Sequence, residues 1–188
     1  MYRTTSSRRG ELEIIEERMK ANLIRACGLA AVLAGILRGL SSVAPATTPR
    51  IMLLYFVIDV LLLFGSIGLY GFGRDGIGFV GTLGVVLAIV GALVLIARDV
   101  AIFGESIYPV GALMFAVGLD LLAIGSWRAR KFPRWILLLL ILSTVIGPIG
   151  FFAGGLSILF VASGILFGIG FAAAGITILL SRPAVGQV

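Results

Sequence analysis

Apolar residues in this chain do not alternate with polar ones in the short rhythm of a soluble domain; they gather into six long runs separated by brief polar breaks. A helix crosses the roughly 30 Å hydrocarbon layer with about 20 residues at 1.5 Å each. That length predicts spanning helices over 22–40, 51–71, 77–97, 107–126, 135–152 and 155–180. Little more than Ala153 and Gly154 separates the last two, so they should form a tight helical hairpin. The chain then divides into an N-terminal segment 1–21, a six-helix transmembrane domain 22–180 and a tail 181–188.

Ahead of the first run, Leu12, Ile15 and Met19 recur at helical spacing, and Glu16 stands four residues before Lys20. The pattern predicts a short amphipathic helix that lies on the membrane or runs into the first span. A loose repeat is also visible in the even-numbered spans. Phe56 to Asp59 followed by Gly65-Ser66 corresponds to Phe115 to Asp120 followed by Gly125-Ser126; in the sixth span Phe167 to Ala172 places alanine where the aspartate would stand. Three successive helical hairpins are the architecture this repeat suggests.

Charge sets the expected orientation. One side of the six-span count receives Arg3, Arg8, Arg9, Arg18, Lys20, Arg25, Arg74, Arg128, Arg130, Lys131, Arg134 and Arg182, and the other only Arg38, Arg50 and Arg98. By the positive-inside rule both termini and the 127–134 turn face the cytoplasm. Trp127 and Trp135 bracket the turn at the depth indole rings prefer, so these two and Arg128, Arg130, Lys131 and Arg134 are expected interface anchors. About twenty polar residues precede the first run, which argues against a cleaved signal peptide. A bacterial inner membrane is the expected location.

Composition sharpens the class. Of 188 residues 60% are hydrophobic and 13% charged, which leaves more apolar surface than a soluble fold can hide. The net charge of +6 is distributed at span ends and not on a soluble face, so no nucleic-acid partner is expected. Histidine is absent, which removes the usual haem and zinc ligand and the base of Ser–His or Cys–His catalysis. No cofactor, no metal and no enzymatic activity are expected. The single cysteine, Cys27, cannot form an intramolecular disulfide and reads as a small core residue.

Two residues carry most of the chemical information. Asp59 falls near the middle of the second span and Asp120 about six residues from the inner end of the fourth. An ionised aspartate at a span centre costs about 2.5–3.5 kcal/mol, so each needs a partner, a proton or water. Depth favours ion pairs, Arg38 with Asp59 and Arg25 with Asp120, that fix helix packing. The competing readings are a proton or cation path, helped by Thr82, Ser143, Thr144 and Ser163, and unpaired protonated acids. Small residues four apart, Gly35 with Gly39, Gly150 with Gly154, and Gly164 with Gly168 and Ala172, are candidate helix contacts. Pro148 would remove one helical hydrogen bond from the fifth span, whereas Pro109 sits in the first turn of the fourth, where proline is tolerated. An outer cluster of Arg98, Asp99, Glu105 and Tyr108 is a solvated turn or a contact for an external partner.

From Ser126 to Trp135, in the run Ser-Trp-Arg-Ala-Arg-Lys-Phe-Pro-Arg-Trp, the chain resembles small bacterial six-span proteins of unassigned function, in which a basic turn is followed by a Pro-Arg-Trp step. Its size and three-hairpin plan are similar in architecture to the HdeD-like acid-resistance membrane proteins. Neither resemblance implies an activity. The expectation is an all-α membrane protein that serves as an accessory or scaffold subunit, in contact with the bilayer and with other membrane proteins or copies of itself. The alternative is a small transporter or proton-linked channel that uses Asp59 and Asp120.

Overall fold

The computed structural model describes residues 4–43, 49–97, 101–102, 105–152 and 157–181. Six helices dominate: α1 Thr4–Ser41, α2 Pro49–Gly73, α3 Gly78–Ile96, α4 Tyr108–Ala129, α5 Arg134–Phe152 and α6 Ser157–Leu180. A minimal antiparallel ribbon between α3 and α4 pairs Ala101 with Ser106 and Ile102 with Glu105. Five helices are long and apolar enough to cross a membrane, with spans at Ile14–Ser41, Leu53–Gly73, Gly78–Ile96, Tyr108–Ala129 and Ile158–Leu180. In α5 the apolar stretch is shorter, Arg134–Gly150. Large apolar side chains such as Leu53, Phe79, Leu113, Leu138 and Ile158 stand exposed on the outer faces. Such a surface suits lipid and not water. The chain is an α-helical membrane protein.

Each helix packs on its neighbours in sequence, and α1 packs on α6, so the bundle closes into a ring; α2 also reaches across to α4 and α6. The three hairpins are therefore present as packed pairs, joined by a seam between the first and last helices. Interior residues such as Ile58, Leu119, Leu122, Leu140 and Phe171 form the core.

The helices meet through glycine, but at a different spacing from the one expected. Along α3, Gly84 and Gly91 are seven apart, and along α4 so are Gly111, Gly118 and Gly125. A methyl group at Gly118 would strike the backbone of Ala88, one at Gly84 that of Leu122, and one at Gly125 would lie 2.6 Å from Gly81 Cα. The seam between α1 and α6 repeats the device, with Gly28 and Gly35 facing Gly175 and Gly168; a Cβ at either Gly35 or Gly168 would lie 2.5 Å from the other's carbonyl oxygen. A seven-residue stripe keeps one face on its partner for several turns, which the four-residue motif does not.

Several of the glycines expected at helix contacts do lie against neighbouring helices. Gly39 lies against Gly168, and Ala172 lies against Gly35, while Gly150 meets the backbone of Phe160 on α6. Gly164 touches the Ser42 side chain just beyond α1. Gly154 lies outside the described residues. Cys27 is buried where α2 passes α1 at Gly68, as a small core residue should be.

At the N-terminus, of the two arrangements expected, the segment runs into the first span, and Thr4–Ser41 is one continuous helix. Leu12, Ile15 and Met19 are exposed there, and Lys20 Nζ pairs with Glu16 Oε1 at 2.6 Å.

At the basic turn, Arg130 adopts a left-handed conformation with φ 52° that ends α4, and its N–H donates to the Trp127 carbonyl at 3.3 Å. Phe132 then turns inward and meets Phe72 edge-on at 5.2 Å. The Arg134 guanidinium stands 6.0 Å from the centre of the Trp127 ring, and Arg128, Lys131 and Trp135 remain exposed. Gly76 (φ 110°) and Gly78 (φ 68°) make the corresponding turn from α2 to α3.

Candidate functional site

All six helices line one cavity of about 510 Å³ between α4, α5 and α6. Its walls include Arg38, Asp59, Asp120, Ser143, Thr144 and Ser163. The two acids, at different depths and on different helices, thus open on the same space. Counting rise along α4 from Tyr108 places Asp120 about 18 Å down from that helix's start, and the same count from Pro49 puts Asp59 about 15 Å along α2. Arg38, near the end of α1, and Tyr108, at the start of α4, line the same cavity nearer that end of the bundle.

Neither Arg38 with Asp59 nor Arg25 with Asp120 is seen as a salt bridge between these described side chains, whereas Lys20 pairs with Glu16. Arg25 is exposed on α1, and α1 packs on α2 and α6, whereas Asp120 is on α4. Depth along a helix was a sound guide to level but carries no information about which helices are neighbours. The Arg38 guanidinium lies 6.0 Å from the centre of the Tyr55 ring. Tyr55 and Asp59 are four residues apart and share a face of α2, so Arg38 stops one turn short of the acid. Asp59 itself is buried, 8% exposed.

Asp120 takes its contact from α5. Thr144 Oγ1 lies 2.6 Å from Asp120 Oδ1 and 2.7 Å from the carbonyl oxygen of Ile141. A hydroxyl has one proton and two lone pairs. When Asp120 is ionised, Thr144 donates to it; when Asp120 is protonated, the acid donates to Thr144, which turns its own proton to Ile141. Both protonation states are hydrogen-bonded without movement of either helix. Ser143 Oγ donates to the Leu140 carbonyl at 2.6 Å.

Pro148 belongs to the same wall and lies inside α5. Proline has no N–H, so the carbonyl of Thr144, four residues earlier, lacks its helical donor. The expected break in the hydrogen-bond ladder therefore falls on the residue that holds Asp120. Of the four hydroxyls the sequence offered for a polar path, Ser143, Thr144 and Ser163 line the cavity. Thr82 does not; it is exposed and donates back to the Gly78 carbonyl at 3.1 Å.

Sequence reasoning missed the aromatic wall. Phe115 on α4 and Phe167 on α6 both line the cavity, with ring centres 6.4 Å apart, and Phe167 stacks on Phe171 at 5.3 Å. Both phenylalanines belong to the internal repeat, which was the available signal. The expected cluster of Arg98, Asp99 and Glu105 lies outside the described side chains, while Tyr108 lines the cavity. Among the described residues no group of three or more metal-ligating side chains gathers. No protein-family model, curated protein or solved structure matches this chain.

Proposed function

We propose that this protein is a small proton-linked transporter, with Asp120 as the group that exchanges a proton for a cationic cargo. The observation that carries this reading is the shared cavity: both intramembrane acids open on it, and Thr144 satisfies Asp120 in either protonation state. A purely structural acid needs a fixed partner; an exchanging one needs access to a space and a tolerable neutral form. Arg38 lies three residues from the end of α1 and both acids lie ten or more residues along α2 and α4, so a cation entering from the Arg38 end meets these two carboxylates at depth.

In this proposal α5 crosses the membrane with the other five helices, and both termini face the cytoplasm of a bacterial inner membrane. The support is the charge bias. Arg74 and the four basic residues of the 127–134 turn lie at one end of the bundle, where α2 and α4 end and α3 and α5 begin. The test is proton-linked cation flux in vesicles holding the purified chain. Wild type should acidify or alkalinise the lumen in response to a cation gradient, and Asp120→Asn should fold but show no exchange. Equal flux from wild type and the asparagine variant would remove Asp120 from the mechanism.

The accessory-subunit reading keeps one footing, the helical stretch of α1 that includes exposed Leu12, Ile15 and Met19. A stoichiometric partner on gentle purification, lost when these three become serine, would favour it.

A further inference from the structure

The composition of the cavity wall specifies its cargo more narrowly than charge alone. We propose that it binds a monovalent organic cation with an apolar body, such as a lipophilic amine, quaternary ammonium or phosphonium. The charged centre lies near Asp120 and the body lies against Phe115 and Phe167. This rests on reading the cavity as a binding site.

Three alternatives fit the wall less well. A divalent metal ion asks for six or more oxygen ligands, and the described residues gather no cluster of acids around one point. A proton alone needs no chamber of about 510 Å³; that volume lies in the range of sites for drug-sized molecules, which are mostly apolar with a few placed polar groups. An anion would meet Asp59 and Asp120 at the floor. The wall instead combines Leu62, Leu95, Phe115, Phe160 and Phe167 with carboxylates at one end. Aromatic faces stabilise a diffuse positive charge without competing for its hydration, which suits ammonium and phosphonium centres and not compact, strongly hydrated ions.

Position within the wall also orients the cargo. Arg38, which rests on the Tyr55 ring, repels the charged end, and among the described lining residues the counter-charges are Asp59 and Asp120. Phe115 and Phe167 line the same cavity, with Phe115 about 7.5 Å nearer the start of α4 than Asp120, which leaves the apolar body of the cargo between the acid and the Arg38 end.

Equilibrium binding of radiolabelled tetraphenylphosphonium to the full chain in nanodiscs, corrected for empty nanodiscs, tests the assignment. Tetraphenylborate has the same shape and the opposite charge. The expected result is saturable binding of the phosphonium, no competition by the borate, and roughly tenfold weaker binding in Asp120→Asn, the scale of one lost charged contact. Asp120→Glu should keep most of the affinity, and Phe167→Ala should lower it several-fold with the acid intact. These two variants carry the test if the asparagine protein does not fold. Competition by the borate as strong as by the phosphonium, or unchanged binding in Asp120→Asn, would mean the chamber holds lipid or detergent chains and overturn the assignment. Phosphonium binding without flux in vesicles would leave the ligand class standing and remove transport. Proton-linked flux of an inorganic cation with no phosphonium binding would do the reverse.

Discussion

Helix α4 meets two neighbours in opposite ways. Toward α3 it presents Gly111, Gly118 and Gly125, and the two backbones come so close that a single added methyl collides with main-chain atoms. Toward α5 it presents Asp120, held by one threonine hydroxyl at the edge of a cavity, on a helix whose hydrogen-bond ladder proline has opened. The first seam is made of van der Waals contact between atoms that cannot change rotamer. The second is made of polar groups that can exchange partners. The bundle can thus divide its labour, with α3 and α4 as a fixed wall and α5 as the side free to adjust. Rigidity here comes from the absence of side chains, and adaptability from their presence.

The most damaging test of this contrast is Gly118→Leu, which should separate α3 from α4 and cost at least about 3 kcal/mol, the upper range for overpacking. Thermal unfolding in detergent beside size-exclusion profiles would read it, and a variant as stable as wild type would show that the seam yields. On the other side, Thr144→Val removes the hydroxyl from Asp120 and should cost about 2 kcal/mol when the acid is charged. Its loss should shrink but not vanish at acid pH, where the protonated aspartate forfeits an acceptor for its own proton, a neutral hydrogen bond in place of a charged one. A pH-independent loss would mean that the hydroxyl matters only for packing. Pro148→Ala returns a donor to the Thr144 carbonyl, which should stabilise α5 by about 1 kcal/mol and slow any exchange through the cavity. Faster exchange would break the link between an open ladder and adaptability. Outside both seams, Lys20→Gln removes an exposed ion pair and should leave melting temperature and flux unchanged.

Much of this fold was legible because lipid imposes a length. Apolar runs located five of the helices to within a few residues, the exception being α1, which begins at Thr4 and not at 22, and Pro109 does lie in the first turn of α4. The cost of burying an acid singled out Asp59 and Asp120, and both line the cavity. Neighbour relations were not legible. Arg25 and Asp120 were matched by depth, yet their helices do not pack together, and Arg38 found an aromatic ring one turn from Asp59. The glycine seams were sought at a spacing of four because that motif is the familiar one; a spacing of seven was present in Gly28 and Gly35, Gly84 and Gly91, Gly111, Gly118 and Gly125, and Gly168 and Gly175. The continuity of α1 was foreseen only as one of two options, since a polar amphipathic stretch reads the same whether it lies flat or continues upward. That Asp59 and Asp120 share a cavity depends on α2 reaching across to α4, and no local pattern encodes this.

The seam between α1 and α6 has a consequence for biogenesis. Gly35 and Gly168 are 133 positions apart in the chain, and at about 5–20 residues per second the ribosome needs on the order of ten seconds to pass from one to the other. Through that interval the small-residue stripe of the first helix faces acyl chains with no mate of its own. Two nascent copies inserted side by side could trade sixth helices during this wait, so the spacing of ribosomes on one message becomes a variable in whether each ring closes on itself.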